Sequence, residues 1–477
     1  MYLIKQRIIF YFLPIIVVGC ILCLLYIPIL LLPFSILLIA ITAYLVVLFN
    51  LQVAFVKTLA FLLPFSIELP FIDNSMIFIP TEPLIAILAF VIFFEFIIHP
   101  IQFISRIYKE LLWAIPLVLA FVVSIPFSGN LGISLKFSLV NLIYILVFYL
   151  YFIKLFTTDP KLFFTLIVVY GLGFFLVTLW AIYQYWEFDW NPVVVRGIFR
   201  PFYKDHTIYS AVAALLGGFW FVYSIMSQGR TKLLSIGLCI FFFICVVLSK
   251  SRAGFLSILF SISIFIILWL RIRFLYLVIT LAIISSVGFI FKRDIVTRMK
   301  NITQISSYSQ AGIIDRTISS ANIYTDVSNI ERLNRWSAAL RMFKEKPLTG
   351  FGSGTFQFVY IPYQDKRLEN RLTVKNPWDI PENSGGTAHS EYLLAISEMG
   401  ILGLIGWVAL VVRWIFIVFT VSYGSALRRN ILIAFVALST YLFHGIFNNF
   451  LNTDKVAFLF WATAAWLAAN YKLSNEQ

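Results

Sequence analysis

Apolar side chains dominate this chain of 477 residues: 61% of the residues are hydrophobic, 18% are aromatic and only 12% are charged. A soluble globular protein carries about 25% charged and about 45–50% apolar residues, so the composition excludes a soluble enzyme and predicts that lipid surrounds most of the chain. The net charge of +14 is compatible with nucleic-acid binding or with the basic cytoplasmic loops of a membrane protein, and the positions of the basic residues distinguish the two.

Fourteen apolar runs are candidates for membrane-spanning helices, because a spanning helix needs about 20 mainly apolar residues. In chain order they are residues 8–30, 33–49, 51–66, 83–98, 111–127, 137–156, 162–183, 207–226, 233–249, 253–270, 274–291, 390–420, 431–448 and 455–471. The third run contains Lys57 and is the weakest. We therefore expect an all-α polytopic membrane protein with about 12–14 transmembrane helices.

The first run and the cysteines bear on targeting and redox chemistry. No small-residue cleavage site follows the first run, so we expect it to be an anchor and not a cleaved signal peptide. Cys20 and Cys23 have the spacing of a redox motif, but they lie in this apolar run without polar neighbours. We expect them to pack as small hydrophobic residues. Four cysteines in 477 residues exclude a disulfide scaffold.

Basic residues are concentrated in every second connection between the runs. These connections contain Lys5, Arg7, Arg106, Lys109, Lys154, Lys161, Arg230, Lys232, Arg271, Arg273, Arg428 and Arg429. The alternate connections begin with the acidic residues Glu68, Asp73 and Glu82. Since Lys and Arg accumulate on the cytoplasmic side, both termini are predicted to be cytoplasmic. The basic residues are scattered in pairs and form no stripe, which excludes nucleic acid as a partner.

Three connections on the opposite, outer side are basic although topology does not require it. They hold Arg196, Arg200, Lys204 and His206 in the first, Lys250 and Arg252 in the second, and the basic residues of 292–389 in the third. Ionisable groups at membrane depth are costly and usually functional, so this cluster is predicted to bind an anionic ligand. For any single arginine the alternative is a structural pairing with Glu68, Asp73 or backbone carbonyls.

Residues 292–389 form the only long polar stretch and divide the chain into three parts. We expect the first eleven spans in residues 1–291, a helix-containing loop domain in residues 292–389 and the last three spans in residues 390–477. Within the loop domain, residues 301–328 are rich in Ser, Thr, Asn and Gln and are predicted to be irregular.

A helix is predicted to follow this irregular part. Ser328-x-x-Glu331 has the pattern of a capping box, in which Glu331 serves only as the cap, and Pro347 ends the helix. Its apolar stripe consists of Leu333, Trp336, Leu340 and Phe343. We expect the stripe to lie on the membrane bundle, so that the other face displays Arg332 and Arg335.

Two further features of the loop domain follow the helix. Gly350-Phe-Gly352-Ser-Gly354 matches neither of the glycine patterns of nucleotide-binding loops, so we expect a tight turn. The polar stretch 362–386 is predicted to be a mobile lid. Its basic residues are Lys366, Arg367, Arg371 and Lys375.

His389 stands at the start of the next span. With Thr387 as the N-cap, His389 is predicted to lie in the first turn of a helix that enters the membrane from the outer side. Free amide groups and the helix dipole favour anions there. His389 is therefore a candidate general base or phosphate contact, and these residues leave both roles open.

Three other ionisable residues receive mainly structural interpretations. Glu398 lies deeper in the same helix, and we expect it to pair with a buried cation more than to form a dyad with His389. His444 is expected to form a hydrogen bond between helices. His99 lies at a cytoplasmic end and requires no function.

The motifs resemble those of the superfamily of O-antigen ligases, O-antigen polymerases and bacterial protein O-oligosaccharyltransferases. In this chain His389-Ser390, followed after nine residues by Gly400-Ile-Leu-Gly403, is similar to the histidine motif of the superfamily. Arg252-Ala-Gly-Phe-Leu256 is similar to its arginine motif. Arg332-x-x-x-Trp336 with Pro347-x-x-Gly350-x-Gly352-x-Gly354-x-Phe356 is similar to a stretch in the large periplasmic loop of the superfamily. The resemblance extends from about residue 196 to the C-terminus. Lys204-Asp205-His206 departs from it, because many members are Asn-rich there.

This resemblance implies a glycosyltransferase of the GT-C type in the bacterial inner membrane, with its active site facing the periplasm. Such enzymes transfer a glycan from undecaprenyl diphosphate to an acceptor hydroxyl, which belongs to lipid A-core, a growing glycan or a protein. The implied diphosphate ligands are Arg252 and Arg332, with Arg200 and Arg335 as lesser candidates. His389 is the implied base or diphosphate contact. Secondary candidates are Glu398, His206, Lys250 and Arg196.

No cofactor is implied, and the outer loops lack an Asp-x-Asp motif or clustered His and Cys ligands, so we expect arginine to replace a divalent metal. Two alternatives remain. A lipid-linked glycan transporter would show internal repeats and a site near the midplane, neither of which we find. Another GT-C arrangement would use Glu68 or Asp73 as the base. Among the superfamily's activities, motif likeness favours the ligase.

Overall fold

The computed structural model describes most of the chain, in several ranges. These are residues 32–70, 76–191, 194–195, 197–272, 276, 327–370, 372–376, 386–421 and 427–476. The predicted span 8–30 with its two cysteines and the irregular segment 301–326 lie outside the described residues. So do Asp73, Arg196, the predicted span 274–291 apart from Tyr276, and residues 371 and 377–385 of the predicted lid.

Helices form nearly all of the described secondary structure. They are α1 (Leu32–Leu48), α2 (Gln52–Leu62), α3 (Thr81–Ile98), α4 (Pro100–Ser124), α5 (Leu131–Thr158), α6 (Leu162–Glu187), α7 (His206–Met226), α8 (Gly229–Leu248), α9 (Arg252–Trp269), α10 (Val327–Glu345), α11 (Phe356–Val359), α12 (Glu391–Thr420), α13 (Arg428–His444) and α14 (Asp454–Glu476). Among the described residues, eight helices (α3 to α9 and α12) are long and apolar enough to cross a membrane. The predicted all-α polytopic membrane fold is confirmed.

The last helix lies at the centre of the bundle. Every residue of α14 from 454 to 470 is buried, including polar ones, so protein and not lipid surrounds this helix. Aromatic rings fill the contacts: the ring centroids of Phe163 and Trp466 are 4.4 Å apart, and those of Phe148 and Phe458 are 5.3 Å apart. Phe148 belongs to a π-helical stretch of α5, Ile145–Tyr151.

The connection between α2 and α3 forms a small hairpin that was not predicted from the sequence. Strand β1 (Ile67–Pro70) pairs with β2 (Met76–Ile79) in antiparallel register, with Glu68 opposite Phe78. Lys136 Nζ donates to the Met76 carbonyl at 2.9 Å, which ties the hairpin to α5. Glu68 therefore projects from a strand and not from an irregular loop.

The described residues of 327–389 lie on one side of the bundle, which we call the loop face. Trp336 of α10 packs 6.2 Å from the Phe447 ring, just beyond α13, and its indole N–H donates to the His389 carbonyl at 3.5 Å. The start of α12 and the end of α13 thus meet α10 at the same place. The loop face is where the predicted site residues are found.

The predicted helix is present as α10, but its predicted cap and its predicted orientation are wrong. It begins at Val327, so Ser328 lies inside the helix and the predicted capping box is wrong; it ends before Pro347, as predicted. Its buried residues are Glu331, Asn334, Arg335, Ala338, Ala339 and Met342, whereas Leu340 of the predicted stripe is exposed. The loop domain has its own core around Phe356, and α10 turns its small residues toward that core.

The glycine-rich turn packs into a break in α12. The φ angles are +65° at Gly350, +100° at Gly352 and +76° at Gly354, which confirms the tight turn. Gly400, with φ of +63°, interrupts the helix. At this break the Gly352 N–H donates to the Glu398 carbonyl at 2.9 Å, and the Ile401 N–H donates to the Pro347 carbonyl at 2.7 Å. Main-chain hydrogen bonds therefore join the loop domain to a membrane helix.

Candidate functional site

A cleft of about 570 Å³ opens on the loop face. Its polar and charged lining consists of Glu68, Arg200, Lys204, Asp205, Thr207, Gln357, Thr387, His389, Asn448, Asn449, Asn452, Thr453, Asp454 and Lys455. Phe78, Phe202, Tyr203 and Phe450 add aromatic surface. The cleft joins residues from the first hairpin, the 197–205 connection, the loop domain and the connection between α13 and α14. Among the predicted site residues, His389 and Arg200 line it directly.

His389 lies at the rim of the cleft, just before α12. The helix begins at Glu391, and Ser390 is its N-cap, since the Ser390 Oγ accepts from the Leu393 N–H at 3.4 Å. The prediction that Thr387 caps the helix and that His389 lies in its first turn is therefore wrong. His389 instead has a left-handed φ of +51°, a conformation that non-glycine residues seldom adopt and that surrounding contacts must stabilise.

Several contacts hold the segment around His389. The Thr387 Oγ1 donates to Asn449 Oδ1 at 2.7 Å, the Glu391 N–H donates to the Gly445 carbonyl at 2.8 Å, and Trp336 binds the His389 carbonyl. These partners come from α10 and from the end of α13. The imidazole is thus positioned by a backbone that is fixed on both sides.

The connection 197–205 brings Arg200 and Lys204 to the cleft. Phe199 anchors it, with its ring 4.1 Å from that of Tyr209 in α7. The side chain of Arg200 is exposed, while its carbonyl accepts from Trp180 Nε1 at 2.8 Å. Lys204 Nζ lies 3.2 Å from Glu68 Oε2, so Glu68 is paired with a cation.

Asp205 and His206 form a close pair at the start of α7. The Asp205 carboxylate accepts from the Thr207 N–H at 2.8 Å and lies 2.8 Å from His206 Nδ1. Burial opposes ionisation of Asp205, but His206 and the Thr207 donors outweigh it and hold the pKa of Asp205 well below its usual range. Asp205 is therefore an anion in the cleft wall, and His206 faces it from outside the cleft lining.

His444 links α9 to the cleft. Its Nδ1 lies 3.3 Å from Ser257 Oγ in α9, which confirms the predicted hydrogen bond between helices, and its Nε2 lies 3.0 Å from Asn448 Nδ2. Since Asn448 lines the cleft, His444 connects α9 to the cleft wall. Arg332 lies one helical turn before Trp336 in α10, and Trp336 binds the His389 carbonyl, so this turn of α10 stands near the rim of the cleft.

Arg252 is the first residue of α9, on the same side of the bundle. Ser251 caps the helix by accepting from the Gly254 N–H at 3.3 Å, and Lys250 precedes it with a left-handed φ of +50°. Ser257, the His444 partner, follows Arg252 by about one and a half helical turns. Arg252 thus starts the helix whose Ser257 contacts His444.

Arg335 and Glu398 are buried and do not line the cleft. Arg335 is fully buried; its Nε donates to Glu331 at 2.7 Å and its Nη1 donates to the Thr387 carbonyl at 3.0 Å. The predicted display of Arg335 on an open face is therefore wrong. Glu398 accepts from the N–H groups of Gly354 at 2.7 Å and Phe356 at 2.9 Å, so the predicted pairing of Glu398 with a buried cation is also wrong.

Asp454 and Lys455 form a buried pair that was not among the predicted site residues. Asp454 accepts from Ser66 Oγ at 2.7 Å and from the Thr81 hydroxyl, and Lys455 Nζ donates to the Ser66 carbonyl at 2.6 Å and to the Phe202 carbonyl. These bonds join α14, the hairpin and the 197–205 connection at the floor of the cleft. Two adjacent opposite charges at the outer end of an apolar run were the signal available in the sequence.

The arrangement is suited to binding a polar substrate with an anionic part. Cations and carboxylates both line the cleft, and each of its three carboxylates already has a partner in the protein. Asparagine amides supply donors and acceptors between them. Among the described residues, no group of three or more His, Cys, Asp and Glu residues forms a possible metal site.

Comparison with known proteins identifies the central part of the chain. Residues 237–408 match the family model described as O-Antigen ligase, a stretch that contains Arg252, Arg332, the glycine-rich turn and His389. The chain matches no curated protein and no solved structure. The resemblance to the O-antigen ligase and polymerase superfamily is confirmed by this match, and with the spanning helices it indicates a multi-pass bacterial membrane enzyme.

Proposed function

We propose that this protein, which carries an O-antigen ligase domain over residues 237–408, transfers a glycan from undecaprenyl diphosphate to an acceptor hydroxyl at the periplasmic face of the inner membrane. The observation that carries the proposal is the position of His389. It stands inside the matched domain, at the rim of a large polar cleft, with Arg200 in the same lining and with Arg332 one helical turn before Trp336, which binds the His389 carbonyl.

The reaction separates a glycan from a diphosphate. The acceptor oxygen bonds to the anomeric carbon, the bond from that carbon to the phosphate oxygen breaks, and its electron pair stays on the diphosphate. Arg252, Arg332 and Arg200 stabilise this charge, because the planar guanidinium contacts two phosphate oxygens at once and stays protonated. Arg335 acts through the loop backbone at Thr387 and positions His389.

His389 takes the proton of the acceptor hydroxyl as this attack proceeds. Its left-handed backbone and its place outside α12 leave the ring at the edge of the cleft, where an acceptor enters. Binding of the diphosphate is the second role for the same imidazole. If it proves to be a diphosphate contact, His206 and Glu68 become the candidates for the base, and the buried partners of Glu398 make that residue a structural one.

The acceptor is the hydroxyl of lipid A-core in our preferred version, which makes the protein a ligase. A polymerase would use a growing glycan, and a protein transferase would use a Ser or Thr hydroxyl, with the same donor and the same cleft. A lipid-linked glycan transporter is disfavoured, because the polar cleft lies on the loop face and not at the middle of the bundle.

The test is the change His389→Ala, assayed with the purified protein and a lipid-linked glycan donor. A general base typically contributes about 10²–10⁴-fold, so turnover should fall by that factor while donor binding is unchanged. The matched control is His99→Ala, an exposed histidine on the face opposite the cleft, which should leave turnover intact. If donor binding falls as much as turnover, His389 is a diphosphate contact. If H389A retains full turnover, the proposed site is wrong.

Transfer is also expected to proceed without a divalent metal. Mg²⁺ and Mn²⁺ bind mainly to clustered oxygen ligands, whereas the proposed diphosphate ligands here are guanidinium groups. The measurement is the same reaction in excess EDTA, with turnover equal to that in the untreated sample. Loss of turnover that Mg²⁺ or Mn²⁺ restores would instead favour a scheme in which Glu68 or Asp454, both in the cleft lining, acts with a metal.

A further inference from the structure

A second cavity, of about 330 Å³, lies at the other end of the bundle. It opens between α4, α5, α12 and α14, near the start of α4 and the end of α14. The opposite end of α4 leads to Ser128, which meets the glycine-rich turn on the loop face. The second cavity is therefore on the face opposite the proposed active site, and the proposed transfer reaction gives it no role.

The charges of this cavity are unbalanced. Its lining contains four cations, Arg106, Lys109, Arg413 and Lys472, and one carboxylate, Glu110. Arg413 Nε contacts the two Glu110 carboxylate oxygens at 3.0 and 3.2 Å, and the Tyr149 hydroxyl donates to one of them at 3.0 Å. The carboxylate and Arg413 thus neutralise each other, and Arg106 and Lys109 remain as further cations of the lining.

Arg106 and Lys109 are the accessible members of this set. Both are exposed, and they stand three residues apart in α4, on one side of the helix. Within the described ranges no salt bridge joins either of them to a carboxylate; the Arg106 side chain donates to the Thr157 hydroxyl at 3.4 Å. Lys472 reaches α4 from the end of α14 and donates to the Ser105 carbonyl at 3.0 Å. The cavity mouth is therefore lined with positive charge.

Apolar surface continues from the mouth of the cavity along the bundle. Leu112 on α4 is 61% exposed and lies about one turn deeper in the bundle than Lys109, whereas Phe416 on α12, 48% exposed, lies about one turn nearer the end of its helix than Arg413. Tyr108 and Tyr471 stand in the lining, where amphipathic aromatic rings favour the boundary between lipid headgroups and hydrocarbon. A ligand here meets cations at one end and apolar side chains at the other.

We propose that this cavity binds the phosphate headgroup of an anionic phospholipid, with the acyl chains along α4 and α12. Basic pockets between membrane helices on the cytoplasmic side suit such headgroups, and this face is cytoplasmic in our topology. Arg106 and Lys109 contact the phosphate oxygens, with Lys472 beside them. The lipid holds the ends of α4, α12 and α14 together at a place where the protein itself leaves a gap.

The experiment compares lipid binding by the full-length protein and by a double variant, Arg106→Gln with Lys109→Gln. Native mass spectrometry of the detergent-solubilised protein titrated with phosphatidylglycerol gives the dissociation constant. Two contacts at about 1 kcal/mol each correspond to roughly 30-fold weaker binding. The control is Arg230→Gln with Lys232→Gln, two exposed basic residues at the start of α8, on the same face but outside the cavity.

We expect R230Q/K232Q and the parent protein to bind phosphatidylglycerol equally, and phosphatidylcholine to bind weakly to all three. Equal weakening in both double variants would show attraction to general surface charge and overturn the proposal. Unchanged binding in R106Q/K109Q would place the headgroup elsewhere. Displacement of the lipid by inorganic phosphate at similar concentration would make the cavity a site for a soluble anion. Glycan transfer enters none of these measurements, so they do not depend on the proposed function.

Discussion

Arg332 and Arg335 lie three residues apart in α10, yet their surroundings differ completely. Arg335 is buried, bound to Glu331 and to the Thr387 carbonyl, and its guanidinium lies 5.6 Å from the Tyr360 ring centre. Arg332 is partly exposed, with Nη1 3.4 Å from Ser328 Oγ, and lies one turn before Trp336, which binds the His389 carbonyl. The buried contacts of Arg335 therefore stabilise the loop domain, whereas Arg332 is the arginine of this helix that we propose as a substrate contact.

Replacing Arg252 or Arg332 with Lys should reduce turnover although the charge remains. Lysine is a point charge and loses the bidentate geometry toward a diphosphate. Loss of one charged hydrogen bond costs about 1.5–3 kcal/mol, which is about 10–150-fold in rate if it acts in the transition state. The measurement is transfer from a purified lipid-linked glycan.

The control for the arginine variants is Arg341→Lys on the same helix. Arg341 is exposed and 3.2 Å from Asp365, away from the cleft, and an exposed ion pair contributes little. The R341K variant should therefore have the same turnover as the parent protein. Full activity in both R252K and R332K would remove these residues from the proposed site.

The break in α12 determines how the loop domain meets the membrane helices. The chain from Pro347 to Phe356 forms hydrogen bonds with main-chain groups next to Gly400 and with the Glu398 carboxylate. A carboxylate that accepts two N–H groups can remain buried without a cation, because these donors replace its water. His389 lies two residues before α12, so the position of this helix also determines the position of His389.

Gly400→Ala should destabilise this junction. The φ angle of +63° is strained for alanine, and the added Cβ would lie 2.6 Å from the Leu348 carbonyl, which is backbone and cannot move aside easily. We expect a loss of about 1–3 kcal/mol in the free energy of unfolding. The readouts are the thermal unfolding midpoint and the rate of protease cleavage in the loop domain.

Gly237→Ala provides the comparison, since a Cβ there meets nothing within 4 Å and the residue lies within helix α8. Alanine favours a helix over glycine, so G237A should be neutral or slightly stabilising. An unchanged midpoint and cleavage rate in G400A would show that the break tolerates a side chain and that the turn is not fixed by it.

The orientation of the whole bundle follows from its charges. The face with Arg106, Lys109, Arg230 and Lys232 is expected in the cytoplasm and the loop face in the periplasm. Single cysteines placed by Lys344→Cys, in the loop domain, and Lys232→Cys, on the opposite face, should react differently with an impermeant maleimide. In a background without the four native cysteines, K344C should react in intact spheroplasts and K232C only after permeabilisation.

The protein without the four native cysteines and without an added cysteine measures the background of that labelling. Reaction of K344C only after permeabilisation would show that the bundle has the opposite orientation in the membrane. It would also exclude the proposed transfer at the periplasmic face, because the cleft and the loop domain share one side of the molecule.

The fold class and the matched motifs were predictable from the sequence because they depend on local properties. A run of about 20 apolar residues forms a helix in lipid whatever its neighbours are, since only its own backbone can satisfy its hydrogen bonds there. The three glycines predicted a tight turn because they tolerate positive φ angles, which they adopt. His389, Arg252 and Arg332 were recognised by residue order and spacing, and the match over residues 237–408 includes all three.

The partners of the site residues depend on segments far apart in the chain, and only the tertiary structure decided them. Asp454 binds Ser66, 388 positions away, and Glu398 binds a turn 44 positions before it. The burial of Arg335 follows from which side of α10 meets the core of the loop domain, and helical spacing alone predicted the other side. Sequence patterns indicate which faces are polar, but a side chain's partners are chosen by how distant elements pack, because each buried polar group must find its hydrogen bonds there.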